Sequence, residues 1–590
     1  MKFKEKIPQI IAGLIIAAAF FLMLVPAMRD SAVMDEIAHI PAGYSYVRYL
    51  DYRLNPEHPP FTKAFCALPL LFQKVNFPLE KESWKTELNS QWALGTQFLY
   101  ESGNDADRII FSCRMMAVLL TLVLLWFIYF WASALLGGSW ALLPLALTAF
   151  SPNFLAHGHY VTLDVGATLG FLVSLYFFFK FLDNPVPRNS VAAGLAFGFA
   201  LLMKFSAVLL GPVFIALALI AAARKCLKDK GKAASGFFFK YARGLFLVFA
   251  AGSLLVYAAY FLFTFNYPLP RQIADTRATL QTFPGKYLPV AIRAMSADRI
   301  LRPAGEYLLG VKMVINRAKY GNAHYFRGVL TEFGTPAYFP LVFLMKETLP
   351  ALIILFAAFL LGARRLSGGV YEDGDRAGFG ILLFVGAYWL CSVHSSLNIG
   401  LRHVMPTLPF LYLLAAREIK FYFEKPCSHR TKAAGYAVLS GLLVWLLCGA
   451  VVSFPNYLSR FNEFFGGNRN GYRFVTDSNF DWGQDLKRLR DWTPPFGEKT
   501  DKIAVDYFGG GNVKYYLGGR AELWNSAAGN PSERGIKWLA VSVNTIQNAV
   551  SPPDGYCTRK PADEYRWLKN PLSPDYVAGT SIFIYKLPRL

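Results

Sequence analysis

Eleven apolar blocks of membrane-spanning length constrain this chain more than any other feature of its sequence. They lie at 8–28, 109–136, 139–156, 161–182, 190–204, 206–223, 244–265, 347–363, 378–394, 403–417 and 433–454. About twenty apolar residues suffice to cross the hydrocarbon core of a bilayer as a helix. The whole chain is 54% hydrophobic, which is more than a soluble globular protein needs. We therefore predict a mainly α, polytopic membrane protein with about eleven spans.

Lysine and arginine residues orient these spans. Four basic segments, 1–6, 224–243, 362–366 and 417–432, fall on one side of the membrane if the N-terminus is cytoplasmic. This distribution follows the positive-inside rule, and it also explains much of the net charge of +21 without nucleic acid as a partner. Eleven spans then place the C-terminus outside. We expect a multi-pass membrane protein with its tail on the non-cytoplasmic side.

Three long segments lie on the outer side in this topology, namely the loops 29–108 and 266–346 and the tail 455–590. The tail is more polar and contains runs with strand character, "KIAVDYF", "KWLAVSV" and "TSIFIYKL". Between polar turns it also contains "DSNFDWGQDLKRLRDW", in which Asp481 and Gln484 have the spacing of a helix capping box. We predict a membrane domain at 1–454 and a small periplasmic α/β domain at 455–590.

The outer turns also carry the residues that are suited to chemistry. They bring carboxylates, imidazoles and cations to one membrane level: Asp35, Glu36, Glu57, His58, His157, His159, Asp164, Lys204 and Arg402. Any one of them has an ordinary structural explanation, since a carboxylate can mark the water boundary and a lysine can extend towards it. Two histidines in "HGHY" are weak evidence for a metal. The functional hypothesis therefore depends on the convergence of five outer turns.

This mixture of groups suits transfer of a sugar from a polyprenyl phosphate to a hydroxyl group. A carboxylate can take a proton from the hydroxyl group. Lysine and arginine can bind the phosphate and stabilise it as a leaving group. At a membrane face, the phosphate would belong to a lipid.

The outer segments resemble a known family. "MDEIAHIPAGYSYVRYLDYRLNPEHPPFTK", "SPNFLAHGHYVTLD", "MKFSAVLLGP", "YFPLVFLMKETLP" and "LNIGLRHVMPTLP" are similar to segments of the family 39 glycosyltransferases, which include the protein O-mannosyltransferases. The lipid A aminoarabinose transferase is a related enzyme. The resemblance covers roughly residues 1–420 and implies a GT-C fold, a transmembrane bundle with a cavity at its outer face.

The resemblance also implies roles for individual residues. Asp35 matches the acidic residue regarded as the catalytic base, with Glu36 beside it, and Asp164 matches a second acid. Lys204 and Arg402 match basic positions near the donor phosphate. Glu57 and His58 lie where relatives place an acidic or metal-binding group, and His157 and His159 are further candidates for a metal or acceptor site.

The expected partners are a polyprenyl-phosphate-linked sugar, membrane lipid and a periplasmic acceptor. The acceptor is a protein serine or threonine, lipid A or another envelope glycan, and the sequence does not choose among them. No cofactor is required if Lys204 and Arg402 bind the phosphate, although a divalent metal ion stays open. The alternatives are a transporter of lipid-linked sugars, which should carry polar residues near the bilayer midplane, and a membrane anchor for a partner-binding tail.

Overall fold

Helices that cross the membrane dominate the protein. The computed structural model describes residues 2–228, 234–283, 285–367, 376–426, 428–494, 502–555 and 557–588. Parts of two predicted basic loops, 229–233 and 427, lie outside these ranges. Within them, seven helices are long and apolar enough to cross a membrane: Lys6–Arg29, Ala106–Leu136, Asp164–Asp183, Phe205–Lys228, Gly236–Phe263, Leu349–Ser367 and His429–Ser453. The chain is a multi-pass membrane protein.

The helices of the first 454 residues are, in chain order, α1 Lys2–Arg29, α2 Met34–Tyr49, α3 Phe61–Ala67, α4 Glu82–Lys85, α5 Gln91–Thr96, α6 Ala106–Leu136, α7 Gly138–Ala149, α8 Pro152–His157, α9 Asp164–Asp183, α10 Pro187–Met203, α11 Leu210–Lys228, α12 Ala234–Phe263, α13 Leu269–Thr282, α14 Leu288–Ala297, α15 Arg302–Tyr320, α16 Tyr338–Lys346, α17 Leu349–Ser367, α18 Arg376–Val393, α19 Leu408–Glu424 and α20 His429–Ser453. A short hairpin of β1 His324–Phe326 and β2 Val329–Thr331 follows α15.

Each of the eleven predicted spans contains a helix, but three of them are not one continuous α-helix. The segment 139–156 forms α7 and then α8, because the chain turns at Ser151 and Pro152 occupies the first position of the next helix. The segment 206–223 begins with the 3₁₀ turn Phe205–Leu209, and the segment 403–417 also begins with 3₁₀ turns before its α-helix starts at Leu408. Buried polar residues such as Ser151 and Thr407 lie at these interruptions.

The loop 29–108 folds back onto the bundle as short helices. Gly43 of α2 faces the backbone of α3 so closely that an added Cβ would lie 2.2 Å from the carbonyl oxygen of Lys63. The buried ammonium group of Lys63 donates hydrogen bonds to the carbonyl oxygens of Asn55 at 2.9 Å and His58 at 2.8 Å. These contacts fix the turn 55–58 against α2.

The tail forms an α/β unit around one sheet. Its elements are α21 Gly467–Asn470, α22 Leu486–Asp491, β3 Ile503–Asp506, α23 Val513–Leu517, β4 Ala521–Leu523, β5 Trp538–Ser542, α24 Val543–Val550, β6 Tyr576–Ala578 and β7 Ile582–Lys586. The strand order is β4-β3-β5-β7-β6, with β4, β3 and β5 parallel and β7 antiparallel to both β5 and β6. The three runs predicted as strands are β3, β5 and β7.

The predicted capped helix in "DSNFDWGQDLKRLRDW" is wrong in its start. The helix α22 begins at Leu486, and the preceding residues form a 3₁₀ turn and an irregular stretch. Asp481 instead accepts a hydrogen bond from the backbone N–H of Asn544, at the start of α24, at 2.8 Å. The irregular stretch packs against the end of the bundle that carries Ser31 and Arg402, so the tail and the membrane helices share an interface there.

Candidate active site

Four helix ends bring two carboxylates and two cations together at one end of the bundle. Asp35 lies in the first turn of α2, and Asp164 is the first residue of α9. Lys204 follows the last residue of α10, and Arg402 lies in the 3₁₀ turn before α19. All four line one cavity of about 290 Å³. The predicted convergence of sequence-distant turns is therefore present in the structure.

The four groups form a chain of ion pairs. Arg402 Nη1 lies 2.6 Å from Asp35 Oδ2 and 3.7 Å from Asp164 Oδ2. Lys204 Nζ lies 2.6 Å from Asp164 Oδ1. Two like charges close together are costly unless cations separate them, and Arg402 and Lys204 supply those cations. An anionic ligand that enters the cavity would meet both of them.

The charge of Asp35 depends on Arg402. Burial by itself would raise the pKa of the Asp35 carboxyl group, but the Arg402 guanidinium holds that pKa below its ordinary value. Asp35 is therefore ionised at neutral pH and can accept a proton or a hydrogen bond. Its side chain is 18% exposed, so it is accessible from the cavity.

A polar wall of the cavity comes from the turn 55–58 and from α2. The carboxylate of Glu57 accepts hydrogen bonds from Asn89 at 3.2 Å and Gln91 at 2.5 Å. The rings of His39 and His58 meet edge to face, with centroids 5.4 Å apart. Burial lowers the pKa of both histidines, so both rings are neutral at pH 7. Neutral rings offer nitrogen atoms that can accept a hydrogen bond from a hydroxyl group.

Much of the remaining cavity lining is apolar. Val208 and Leu209 come from the 3₁₀ turn before α11, Val311 and Ile315 from α15, and Cys391 from α18. The cavity thus combines ionic groups with apolar side chains from membrane-associated helices. This arrangement fits a ligand with an anionic head and a long apolar chain.

Glu36 lies outside this cavity. Its carboxylate is fully buried and pairs with Arg114, which donates to Oε1 at 2.8 Å and Oε2 at 2.6 Å. It also accepts hydrogen bonds from the backbone N–H groups of Val33 at 2.9 Å and Val161 at 3.0 Å. The pair with Arg114 holds the start of α2 against α6. Glu36 therefore stabilises the fold and does not face the cavity.

His157 and His159 also lie outside the cavity lining. His159 is buried, and its ring nitrogens contact the carbonyl oxygen of Leu155 at 2.7 Å and the carboxylate of Asp30 at 3.3 Å. His157 packs against Trp482, with ring centroids 5.8 Å apart. In the described part of the chain, no three His, Cys, Asp or Glu side chains are placed as ligands of one metal ion.

The structure adds site residues that the sequence did not single out. Arg317 of α15 lines the cavity. From the tail, Ser478 accepts a hydrogen bond from Arg402 Nε at 3.1 Å, and the guanidinium lies 4.3 Å from the centre of the Trp482 ring. In the sequence, only the motif "DSNFDW" marks these tail residues, and its polar positions predict a helix cap and not a contact with Arg402.

Comparison with known proteins agrees with this architecture. Residues 106–251 match the family model for dolichyl-phosphate-mannose-protein mannosyltransferases. The structure is similar to the Saccharomyces cerevisiae protein O-mannosyltransferase Pmt1-Pmt2 complex bound to its sugar donor, with 12% identity, a TM-score of 0.51, and coverage of 75% of this chain and 90% of that chain. The resemblance to this group of glycosyltransferases is confirmed, and the protein has the GT-C fold.

Two further structures are similar over most of the chain. The Archaeoglobus fulgidus oligosaccharyltransferase in its apo form has 10% identity and a TM-score of 0.49, covering 93% of this chain and 72% of that chain. ArnT from Cupriavidus metallidurans, bound to undecaprenyl phosphate, has 14% identity and a TM-score of 0.43, covering 90% and 92%. A comparison with curated protein sequences gives no match.

Proposed function

We propose that this protein is an inverting glycosyltransferase of the bacterial inner membrane, which moves a sugar from a polyprenyl phosphate to a hydroxyl group on the periplasmic side. The observation that carries the proposal is the cavity in which Asp35, Asp164, Lys204 and Arg402 meet beside apolar side chains of α15 and α18. The match of residues 106–251 to a family named for a polyprenyl-phosphate-linked mannose supports the same class of donor.

Each group has a role in this reaction. Lys204 and Arg402 bind the phosphate of the donor and stabilise its charge as it leaves. Asp35 accepts the proton of the attacking hydroxyl group. The acceptor oxygen forms a bond to the anomeric carbon while the bond from that carbon to the phosphate oxygen breaks. Polyprenyl phosphate departs, and a single displacement inverts the anomeric configuration.

Asp164 has a different task from Asp35. It lies between Lys204 and Arg402 and contacts both, at 2.6 and 3.7 Å. A buried anion in this position fixes the two cations relative to each other. We assign to Asp164 the orientation of the phosphate-binding pair and to Asp35 the proton transfer, because Asp35 faces only one of the cations.

The wall formed by Glu57, His58 and His39 is the proposed acceptor side of the cavity. Its carboxylate and neutral imidazoles suit a ligand that donates hydrogen bonds, such as a sugar or a serine or threonine hydroxyl group. A protein, lipid A or another envelope glycan would each satisfy this chemistry. Because Lys204 and Arg402 already supply positive charge for the phosphate, the mechanism requires no divalent ion.

The proposal is tested with purified protein in lipid vesicles and a polyprenyl phosphate carrying a radiolabelled sugar. Wild type is compared with Asp35→Asn for consumption of donor and for transfer of label to an envelope extract. Asp563→Asn serves as the matched control, since this carboxylate is exposed in the tail. We expect Asp35→Asn to bind donor and to lose about 10²–10⁴-fold in rate, while the control stays at the wild-type rate.

Two results would contradict the proposal in different ways. Equal rates for wild type and Asp35→Asn would remove Asp35 from the chemistry. Movement of intact donor across the membrane by wild type, without cleavage of the sugar–phosphate bond, would favour the transporter instead. The fraction that carries the transferred label identifies the acceptor class.

A further inference from the structure

The tail contributes a short irregular segment, residues 477–486, that lies between two parts of the proposed active site. It begins with the 3₁₀ turn Asp477–Asn479 and ends where α22 begins. Most of its side chains are buried, although the residues between that turn and α22 form no helix or strand. Its contacts reach Arg402 on one side and the start of α2 on the other.

On the first side, the segment holds the guanidinium of Arg402. Ser478 Oγ accepts a hydrogen bond from Arg402 Nε at 3.1 Å and donates one to the carbonyl oxygen of Ile399 at 2.5 Å. The ring of Trp482 lies against the guanidinium, 4.3 Å from centroid to Cζ. The planar face and Nε of Arg402 are therefore occupied by the tail, while Nη1 is directed to Asp35.

On the second side, the segment fixes the turn that leads into Asp35. The N–H of Met34 donates to the carbonyl oxygen of Trp482, and the N–H of Ser31 donates to that of Gln484, both at 3.0 Å. Ser31 Oγ donates to the carbonyl oxygen of Gly483 at 2.7 Å. Trp482 thus contacts Arg402 with its ring and anchors the residue before Asp35 with its backbone.

Hydrogen bonds to other parts of the tail also fix this segment. Asp481 accepts hydrogen bonds from the N–H groups of Asn544 at 2.8 Å and Gly483 at 3.2 Å. Asp485 accepts hydrogen bonds from the N–H groups of Thr580 at 2.7 Å and Ser581 at 2.9 Å. Both carboxylates are fully buried. The position of Trp482 therefore follows from the fold of the tail and not from the membrane helices alone.

We infer that Trp482 and Ser478 are positioning residues that hold Arg402 in the geometry for binding the phosphate of a polyprenyl phosphate. The inference rests on the proposed function and assigns a role to the tail. An arginine that is held by a ring face and an Nε acceptor loses less freedom when it binds an anion with its remaining N–H groups. Without these contacts Arg402 keeps its charge but not its orientation.

The test measures binding of two lipids to the full-length chain in vesicles, a polyprenyl phosphate and the uncharged polyprenol of the same length. The variants are Trp482→Leu, Trp482→Phe and Ser478→Ala, with Trp492→Leu as the matched control. Trp492 packs against Trp538 and Tyr576 in the tail. General damage to the fold would weaken the binding of both lipids. A variant that binds polyprenyl phosphate more weakly but polyprenol as well as wild type has therefore lost recognition of the phosphate.

We expect Trp482→Leu and Ser478→Ala to weaken polyprenyl phosphate binding by roughly tenfold, the size of one desolvated cation–π contact or charged hydrogen bond. Polyprenol binding should not change. Trp482→Phe, which keeps an aromatic face, should retain most of the preference, and Trp492→Leu all of it. If Trp482→Leu does not fold, Ser478→Ala decides the question.

The inference is overturned if folded Ser478→Ala and Trp482→Leu keep the wild-type preference for the phosphate. A different result identifies failure of the proposed function. In that case wild type itself binds polyprenyl phosphate no better than polyprenol, and Arg402 has no phosphate to recognise.

Discussion

Neutralising each of the adjacent carboxylates Asp35 and Glu36 should harm the protein in a different way. Asp35 faces the cavity and contacts Arg402, whereas Glu36 faces α6 and pairs with Arg114. Both side chains of the second pair are fully buried. Arg114 donates further hydrogen bonds to three backbone carbonyl groups within residues 27–31. We therefore expect Glu36→Gln to act on stability and Asp35→Asn on the reaction.

The magnitude for Glu36→Gln follows from the cost of leaving a buried charge without its partner. Removing one member of a buried ion pair typically destabilises a protein by about 3–5 kcal/mol. Glutamine keeps the shape of glutamate and one acceptor oxygen for the guanidinium, so we expect a value near the lower end, about 3 kcal/mol. The double variant Glu36→Gln/Arg114→Met removes both charges and should recover part of this loss.

The assay is thermal unfolding of purified protein in one lipid preparation, at one heating rate for all variants, because unfolding of such proteins is often irreversible. Transfer of sugar is then measured below the unfolding range of the weakest variant. Glu36→Gln should lower the Tm and keep its activity per folded molecule. Asp35→Asn should lose about 10²–10⁴-fold in rate with a much smaller change in Tm. A Glu36→Gln protein with the wild-type Tm and no transfer would refute this reasoning and make Glu36 part of the chemistry.

Further predictions concern pH, charge and packing. In the free protein Arg402 keeps the pKa of Asp35 low, and the negative charge of a bound phosphate would raise it. Because the base must be ionised, activity should decrease as the pH is lowered, and the acid limb of kcat should lie at higher pH than that of kcat/KM. Lys204→Met should lower kcat about 10²-fold, because one charged donor to the leaving phosphate is lost, whereas the exposed Lys319→Met should have no effect in the same assay. A chelator should leave transfer unchanged, because lysine and arginine carry the phosphate charge; loss of activity that added Mg²⁺ restores would contradict this. Gly43→Ala should destabilise the protein by about 1–3 kcal/mol in thermal unfolding, since a Cβ there would lie 2.2 Å from a backbone oxygen of α3.

The sequence could locate much of the candidate site because topology restricts where polar residues can lie. Once the spans alternate across the membrane, the ends that carry Asp35, Asp164, Lys204 and Arg402 must share one side. The sequence could not separate Asp35 from Glu36, since the start of α2 was unknown. Consecutive residues on a helix point in different directions, so only one of the two can face the cavity.

The same limit applies to the contacts between the tail and the bundle. Runs of β character revealed three strands of the tail sheet, because alternation and β-branched residues are local properties. The contact of Trp482 with Arg402 joins residues that are eighty positions apart. No periodicity in the sequence of either segment predicts that these two side chains are in contact. The polar residues of "DSNFDWGQD" were visible, but their partners in α24 and in the turn before β7 were not.

The ion pairs of the cavity also explain why a base with a low pKa suits the proposed reaction. Two carboxylates and two cations neutralise one another there, so the site avoids a costly excess of either charge at the membrane boundary. A donor phosphate adds negative charge and competes with Asp35 for Arg402. Because the phosphate shares the charge of Arg402, Asp35 is stabilised less and becomes a stronger base beside the bound sugar. The carboxylate is thereby activated only when the donor is in place, which links proton transfer to the presence of the group that must leave.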